Sequence, residues 1–168
     1  ATTEIYTLSL HDALPILEHY LQDATQVIVD ILSRYIFETN LMGVRQKKEL
    51  SPDELCSMMI DAQKAAYGDA LDEKYLHPYM WAVKGHYYRQ NLAFYNFPYA
   101  FGLLFGLALF SRFKKEGKKF AKEYDRILSM TGRMTCVDLT KELGFDIESS
   151  DFWNAGLSVV IGRIDEFE

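Results

Sequence analysis

The sequence predicts an all-α fold with no substantial sheet, and three observations support this prediction. Apolar residues recur at intervals of three and four along most of the chain, which is the spacing of a helix face packed on a core. No segment alternates apolar and polar residues for long enough to form a strand. Residues that favour helix starts and ends stand between the apolar segments, as in the tetrapeptide Ser51–Glu54.

Two long helices are predicted in the first half of the chain. The first begins near Leu17 and ends near Glu38. The second begins at Ser51, because a serine followed by proline and, three residues later, by glutamate is a capping box, and it ends at Gly68. The apolar stripe of the first helix contains Leu17, Leu21, Ala24, Ile28, Ile31 and Tyr35.

The first residues are not expected to belong to the fold. The string YTLSLHDALPI at Tyr6–Ile16 resembles the conceptual translation of a sequencing adapter. We therefore predict that residues 1–16 are an artefact segment and that residues 17–168 form the domain. The alternative is an ordinary N-terminal segment in which Pro15 opens a helix.

An apolar helix is predicted over Tyr99–Phe113 in the second half. The 14 residues 97–110 carry no charged or amide side chain, whereas a membrane span needs about 20 apolar residues. Because this helix is apolar on all sides, it is expected at the centre of the domain, with Gly102 and Gly106 allowing another backbone to approach. The other helices are expected over His77–Val83, from Phe120 to Gly132, from about Thr135 to Leu143, and after a cap at Ser149 or Ser150.

Composition excludes several classes of function. The 168 residues contain 18 Lys and Arg against 24 Asp and Glu, a net charge of −6, without the basic stripe that nucleic acid requires. Neither a membrane span nor a signal peptide is predicted. Cys56 and Cys136 form no CxxC motif and are expected to be free, buried thiols in a reducing compartment, so a cytoplasmic protein is predicted.

Most motifs of catalysis are absent from the sequence. There is no HExxH, GxSxG or GxGxxG motif and no phosphate-binding loop of the Walker type. The four histidines, His11, His19, His77 and His86, have no metal-ligand spacing, so no metal ligand is predicted in this chain.

One segment stands out by its aromatic content, and we call His77–Tyr99 the aromatic segment. Tyrosine combines an apolar ring with a hydroxyl donor, which suits a cleft that binds a peptide and donates to a developing oxyanion. The alternative is that most of these rings are core residues. The rings are Tyr79, Trp81, Tyr87, Tyr88, Phe94, Tyr95, Phe97 and Tyr99.

The strings HPYMWAVKGHYY…FYNFPYAFGLLFGLALF, DATQVIVDILSRYIFE and MTCVDLTKELGFDIESSDFW resemble the carboxy-terminal part of the oligoendopeptidase F family, among the thimet-oligopeptidase-like zinc metallopeptidases. The resemblance covers Leu17–Glu168 and implies a zincin-like helical catalytic domain that hydrolyses internal peptide bonds of oligopeptides. One zinc ion is bound in that family by HExxH and a downstream glutamate. Because both are absent here, the resemblance implies a fragment, inactive alone, whose partner is the missing amino-terminal part of the same enzyme.

The resemblance also implies roles for particular residues. His86 and Tyr95 are expected to be catalytic, hydrogen-bonding the substrate carbonyl and the tetrahedral intermediate, and Tyr88 and Tyr99 to contact the peptide substrate. His77 is expected only to cap a helix. Two other hypotheses are a non-enzymatic helical peptide-binding module with an aromatic groove, and a structural scaffold whose tyrosine hydroxyls are satisfied inside the core.

Overall fold

The computed structural model describes residues 10–168, with side chains from Ala13, and confirms the all-α prediction. The chain is 74% helical, and no strand occurs among the described residues. The predicted artefact segment lies in part outside them, at residues 1–9. The α-helices are α1 (Leu10–Thr25), α2 (Ile31–Arg45), α3 (Pro52–Tyr67), α4 (Met80–Val83), α5 (Phe97–Glu116), α6 (Lys118–Leu128), α7 (Cys136–Glu142) and α8 (Ser150–Phe167).

The chain divides into two compact units. One contains residues up to Leu21 together with Gly102–Glu168, and the other contains Gln22–Phe101. Each unit has its own apolar core. The core of the Gln22–Phe101 unit contains Phe37, Met59, Ala62 and Tyr87, and that of the other unit contains Leu109, Phe120, Ile127 and Leu143.

Helices α1 and α2 are joined by a π-helical turn, which the sequence did not predict. The turn spans Gln26–Asp30, and α2 then continues to Arg45, past the predicted end at Glu38. A π turn holds more residues than an α turn, so it shifts the stripe that faces the core. Ala24 and Ile31 are buried as expected, but Tyr35 is exposed. The buried positions of α2 after Ile31 are Ser33, Arg34, Phe37 and Glu38.

The capping signals are confirmed. The Ser51 hydroxyl accepts from the Glu54 N–H at 3.3 Å, and the Glu54 carboxylate accepts from the Ser51 N–H at 2.9 Å. Thr135 and Ser149 cap α7 and α8 in the same way, each accepting a backbone N–H at 3.2 Å. Gly68 ends α3 with a φ of 57°, where a side chain would be strained.

The expectation that α5 lies at the centre of a domain is wrong. Of its 20 residues only Ala108 and Leu109 are buried, while several of its phenylalanines are exposed. Among the residues from Leu10 onward, no atom within 4 Å would meet a Cβ added at Gly102 or Gly106, so the predicted glycine face has no close neighbour in that part of the chain. The close backbone approach occurs instead at Gly156 of α8, where an added Cβ would lie 2.6 Å from the Leu104 carbonyl oxygen of α5. Because α5 is apolar on all sides, its composition does not indicate which side packs against another helix.

The two cysteines are free, as predicted, but neither is buried. Cys56 is half-buried on α3, and Cys136 is exposed at the start of α7. Within the described part of the chain, every helix is too short or too polar to cross a membrane.

Candidate functional site

The aromatic segment lies in the Gln22–Phe101 unit and is folded by local hydrogen bonds. The His77 Nδ1 accepts from the Tyr79 N–H at 3.2 Å just before α4, which agrees with a capping role for His77. A 3₁₀ turn, Gly85–Tyr87, carries His86. The His86 carbonyl accepts from the Phe94 N–H, and Phe94 has a φ of 57°, a conformation that a bulky residue rarely adopts. This bond closes residues 86–94 into a loop.

Three of the four predicted site residues lie together, and we call them the His–Tyr cluster: His86, Tyr95 and Tyr99. The His86 Nε2 lies 3.2 Å from the Tyr99 hydroxyl oxygen. The Tyr95 and Tyr99 rings meet edge to face, with their centroids 6.0 Å apart and their planes at 82°. Tyr95 and Tyr99 are 42% and 38% exposed. Tyr99 therefore links the imidazole to Tyr95 at an open surface.

Tyr88 is not part of this cluster. Its hydroxyl donates to the Ala82 carbonyl, and its ring lines a separate cavity of about 690 Å³. The wall of this cavity is mainly apolar, and Arg45 lies at it beside the aromatic rings. The cavity is lined by Phe37, Leu41, Met42, Arg45, Gln46, Leu55, Trp81, Tyr87, Tyr88 and Phe94. The structure thus separates one expected peptide contact from the other three residues.

The electrostatic surroundings of His86 favour a neutral imidazole. Burial lowers the pKa of His86 below 6.5, and the cations Arg34, Arg89 and Lys84 lower it further. A neutral imidazole carries one N–H donor and one acceptor nitrogen. With the proton on Nε2, His86 donates to the Tyr99 oxygen and leaves the Tyr99 hydroxyl proton free to point elsewhere.

A buried polar network beneath the aromatic segment was missed by the sequence analysis. Arg34 is buried and pairs with Asp30 on the same helix. The Tyr67 hydroxyl donates to Asp30 at 3.2 Å, and burial together with that carboxylate raises the pKa of Tyr67 to about 12. Glu38 is buried as well and accepts a hydrogen bond from Asn96. The spacing of Asp30, Arg34 and Glu38 at successive fourth positions was the available signal, since three charges in line share one helix face.

The described residues do not fit a zinc ion. Among them, no group of three or more His, Cys, Asp or Glu side chains could hold a metal. The described part of this chain therefore offers no zinc site, and we assign zinc no step on these residues.

Comparison with models of protein families, with curated proteins and with solved structures found no match to this chain.

Proposed function

We propose that this chain is part of a zinc-dependent oligopeptidase and supplies residues that bind the substrate peptide and stabilise the oxyanion. The proposal rests on the resemblance of the aromatic segment and of the segments beside it to the oligoendopeptidase F family. The observation that carries it is the meeting of His86, Tyr95 and Tyr99 at an open surface. Zinc would have to be bound by residues outside the described part of this chain, in a zincin-like domain that works in the cytoplasm.

Tyr95 is the residue best placed to donate to a substrate. Within the described residues it makes ring contacts with Phe97 and Tyr99 but no hydrogen bond through its hydroxyl. Its edge-to-face packing restricts the ring, so the donor is oriented before a peptide arrives. Tyr99 is the second donor when His86 supplies an N–H to its oxygen.

Such donors act on the charge that develops during attack on an amide. As the carbonyl carbon becomes tetrahedral, its oxygen gains negative charge and accepts a stronger hydrogen bond. Removal of one oriented donor of this type lowers kcat by about 10²–10³. A neutral His86 contributes an N–H without placing an unpaired cation within the cluster.

The cavity beside Tyr88 favours a second candidate, a non-enzymatic module that binds peptides. Its apolar and aromatic wall suits an apolar side chain, and Arg45 at that wall suits a carboxylate. The scaffold hypothesis required the hydroxyls of Tyr88, Tyr95 and Tyr99 to be satisfied inside the core, and all three residues are exposed.

The experiment uses the enzyme encoded by the uninterrupted reading frame that contains residues 17–168. We expect that frame to encode HExxH upstream of Leu17 and its product to cleave a quenched fluorescent peptide until a chelator is added. Tyr95→Phe should lower kcat by about 10²–10³ with a smaller change in KM, because its hydrogen bond strengthens in the transition state.

Tyr75→Phe is the matched control, since Tyr75 is an exposed tyrosine of the same unit outside the His–Tyr cluster, and it should leave kcat unchanged. A frame without HExxH, or peptide binding without cleavage, would favour the binding module. A kcat for Tyr95→Phe equal to that of Tyr75→Phe would remove Tyr95 from catalysis.

A further inference from the structure

The strongest unexplained feature outside the His–Tyr cluster is a buried side-chain pair formed by Glu38 of α2 and Asn96 of the aromatic segment. The two residues are 4% and 1% exposed. The Asn96 Nδ2 donates to the Glu38 Oε1. The other end of the same amide, Asn96 Oδ1, is buried and accepts from no donor. Leaving a buried acceptor unsatisfied costs about 1–3 kcal/mol, so a donor is expected there.

The other polar groups near Glu38 do not supply that donor. Arg34 of α2 pairs through Nη2 with Asp30, and its Nε, which is also buried, makes no hydrogen bond to any described group, Asn96 Oδ1 included. From the aromatic segment, Tyr87 faces Glu38, and its hydroxyl lies 3.5 Å from the Arg34 carbonyl, to which it donates. From α3, Tyr67 donates to Asp30. The remaining candidate is the second oxygen of the Glu38 carboxyl, whose Oε1 already accepts from the Asn96 amide.

We propose that Glu38 is held as a neutral carboxylic acid whose O–H donates to Asn96 Oδ1 while Asn96 Nδ2 donates to Glu38 Oε1. The two hydrogen bonds form a closed ring that satisfies both ends of the amide and both carboxyl oxygens. The proton is taken up from solvent when the pair forms and returns to solvent when the acid ionises. No charge is left buried, which removes the need for a cationic partner.

The surroundings of Glu38 support the neutral form. Burial raises the pKa of Glu38 above 4.5, and the hydrogen bond from Asn96 opposes that rise by a smaller amount. No ion pair to Glu38 occurs in the part of the chain that the structure describes, and the Arg34 guanidinium pairs through Nη2 with Asp30 instead. Ionisation would therefore place an unpaired carboxylate against an amide oxygen.

The pair makes Glu38 and Asn96 positioning residues for the His–Tyr cluster, a consequence that rests on the proposed function. Asn96 directly follows Tyr95, and its carbonyl accepts from the Tyr99 N–H at 3.4 Å. The Glu38–Asn96 pair therefore connects the backbone beside Tyr95 and Tyr99 to α2. Because the pKa of Glu38 is raised in the folded state, its stabilisation is complete below about pH 4.5 and is lost as the pH rises through the folded-state pKa.

The test compares Glu38→Gln with the original chain, because glutamine forms the same ring without titrating. Its amide N–H donates to Asn96 Oδ1 and its oxygen accepts from Asn96 Nδ2. The Tm of Glu38→Gln should exceed that of the original chain by a margin that grows as the pH rises above about 4.5 and then levels off. Glu49→Gln, at an exposed glutamate, is the matched control and should show a margin that does not change in this way with pH.

A carboxyl-carbon NMR titration of the full chain measures the pKa of Glu38 without any substitution at that position. We expect the carboxyl signal of Glu38 to titrate with a pKa above 4.5. Asn96→Leu removes the amide and should therefore abolish the hydrogen-bonded pair with Glu38. A Glu38 pKa at or below 4.5, or a margin for Glu38→Gln that is independent of pH, would overturn the neutral pair.

The positioning role has a separate measurement in the peptide-cleaving enzyme. The fall of kcat/KM at rising pH should be weaker in Glu38→Gln than in the original enzyme, because the glutamine side chain that bonds to Asn96 does not ionise. An unchanged profile would overturn the positioning role. Absence of any cleavage, together with a raised Glu38 pKa, would refute the proposed function and leave the neutral pair standing.

Discussion

The contact between α5 and α8 gives a sharp test of packing in the Gly102–Glu168 part of the chain. Replacement of Gly156 by alanine puts a methyl group 2.6 Å from the Leu104 carbonyl oxygen and 3.4 Å from the Ala108 backbone nitrogen. The first distance is shorter than a carbon–oxygen van der Waals contact, and the Leu104 oxygen belongs to the backbone. The helices must therefore move apart. Gly162 lies on the same helix, and an added methyl group there meets nothing within 4 Å.

The magnitude follows from two opposing terms. Alanine in place of glycine within a helix stabilises by about 0.8–1.0 kcal/mol, and this term applies to both positions. Overpacking costs about 1–3 kcal/mol and applies only to Gly156. The two variants should therefore differ by about 1–3 kcal/mol in the free energy of unfolding, with Gly162→Ala the more stable. In a chain of this size that difference corresponds to roughly 2–12 °C in Tm.

Thermal unfolding followed by circular dichroism measures this difference directly. We expect Gly162→Ala to unfold at or above the Tm of the original chain and Gly156→Ala to unfold below Gly162→Ala. Equal Tm values for the two variants, or a higher value for Gly156→Ala, would refute the close approach of α8 to the α5 backbone.

Two further predictions concern the aromatic segment and a helix cap. Arg89→Gln should raise the pKa of His86 without restoring it to 6.5, because burial is the larger cause of its lowering; an imidazole NMR titration measures this, and an unchanged pKa would contradict it. Ser51→Ala should destabilise the chain by about 1 kcal/mol in urea unfolding, since the Glu54 N–H loses its acceptor, and Ser51→Gly should lose only a few tenths. Equal stability of the two Ser51 variants would show that the cap contributes little.

The starts of the helices could be predicted well because their causes are local. Ser51, Thr135 and Ser149 each accept a backbone N–H two or three residues further along, so the signal lies within one helical turn. The end of α3 at Gly68 follows from the left-handed conformation of one residue. The bounds of these helices therefore agree with the sequence analysis to within a few residues.

The π turn and the packing of α5 could not be predicted from the same kind of pattern. Periodicity assumes a constant number of residues per turn, and the π turn at Gln26–Asp30 breaks that assumption, which leaves Tyr35 exposed. A helix that is apolar on all sides carries no directional signal, so the packed side of α5 depended on where Gly156 lets α8 approach.

The candidate site could likewise be predicted from the sequence only in part. Composition and resemblance predicted four site residues in the aromatic segment, namely His86, Tyr95, Tyr88 and Tyr99. The separation of Tyr88 from the other three is visible only in the folded chain. Tyr88 donates to the Ala82 carbonyl, whereas His86 contacts Tyr99, and the bond from the Phe94 N–H to the His86 carbonyl closes the loop that carries Tyr88. No sequence pattern encodes that closure, since a phenylalanine with positive φ has no signature of its own.

Local sequence patterns were sufficient to predict an all-helical chain and several of its caps, and to locate the segment where its aromatic hydroxyls concentrate. These properties arise from forces that act over one or two helical turns. The contact of Glu38 with Asn96 across 58 positions of sequence, and that of His86 with Tyr99 across 13, form only when the chain is packed. Such pairs form because burial removes water and leaves each polar group only the partners that the packed chain places beside it.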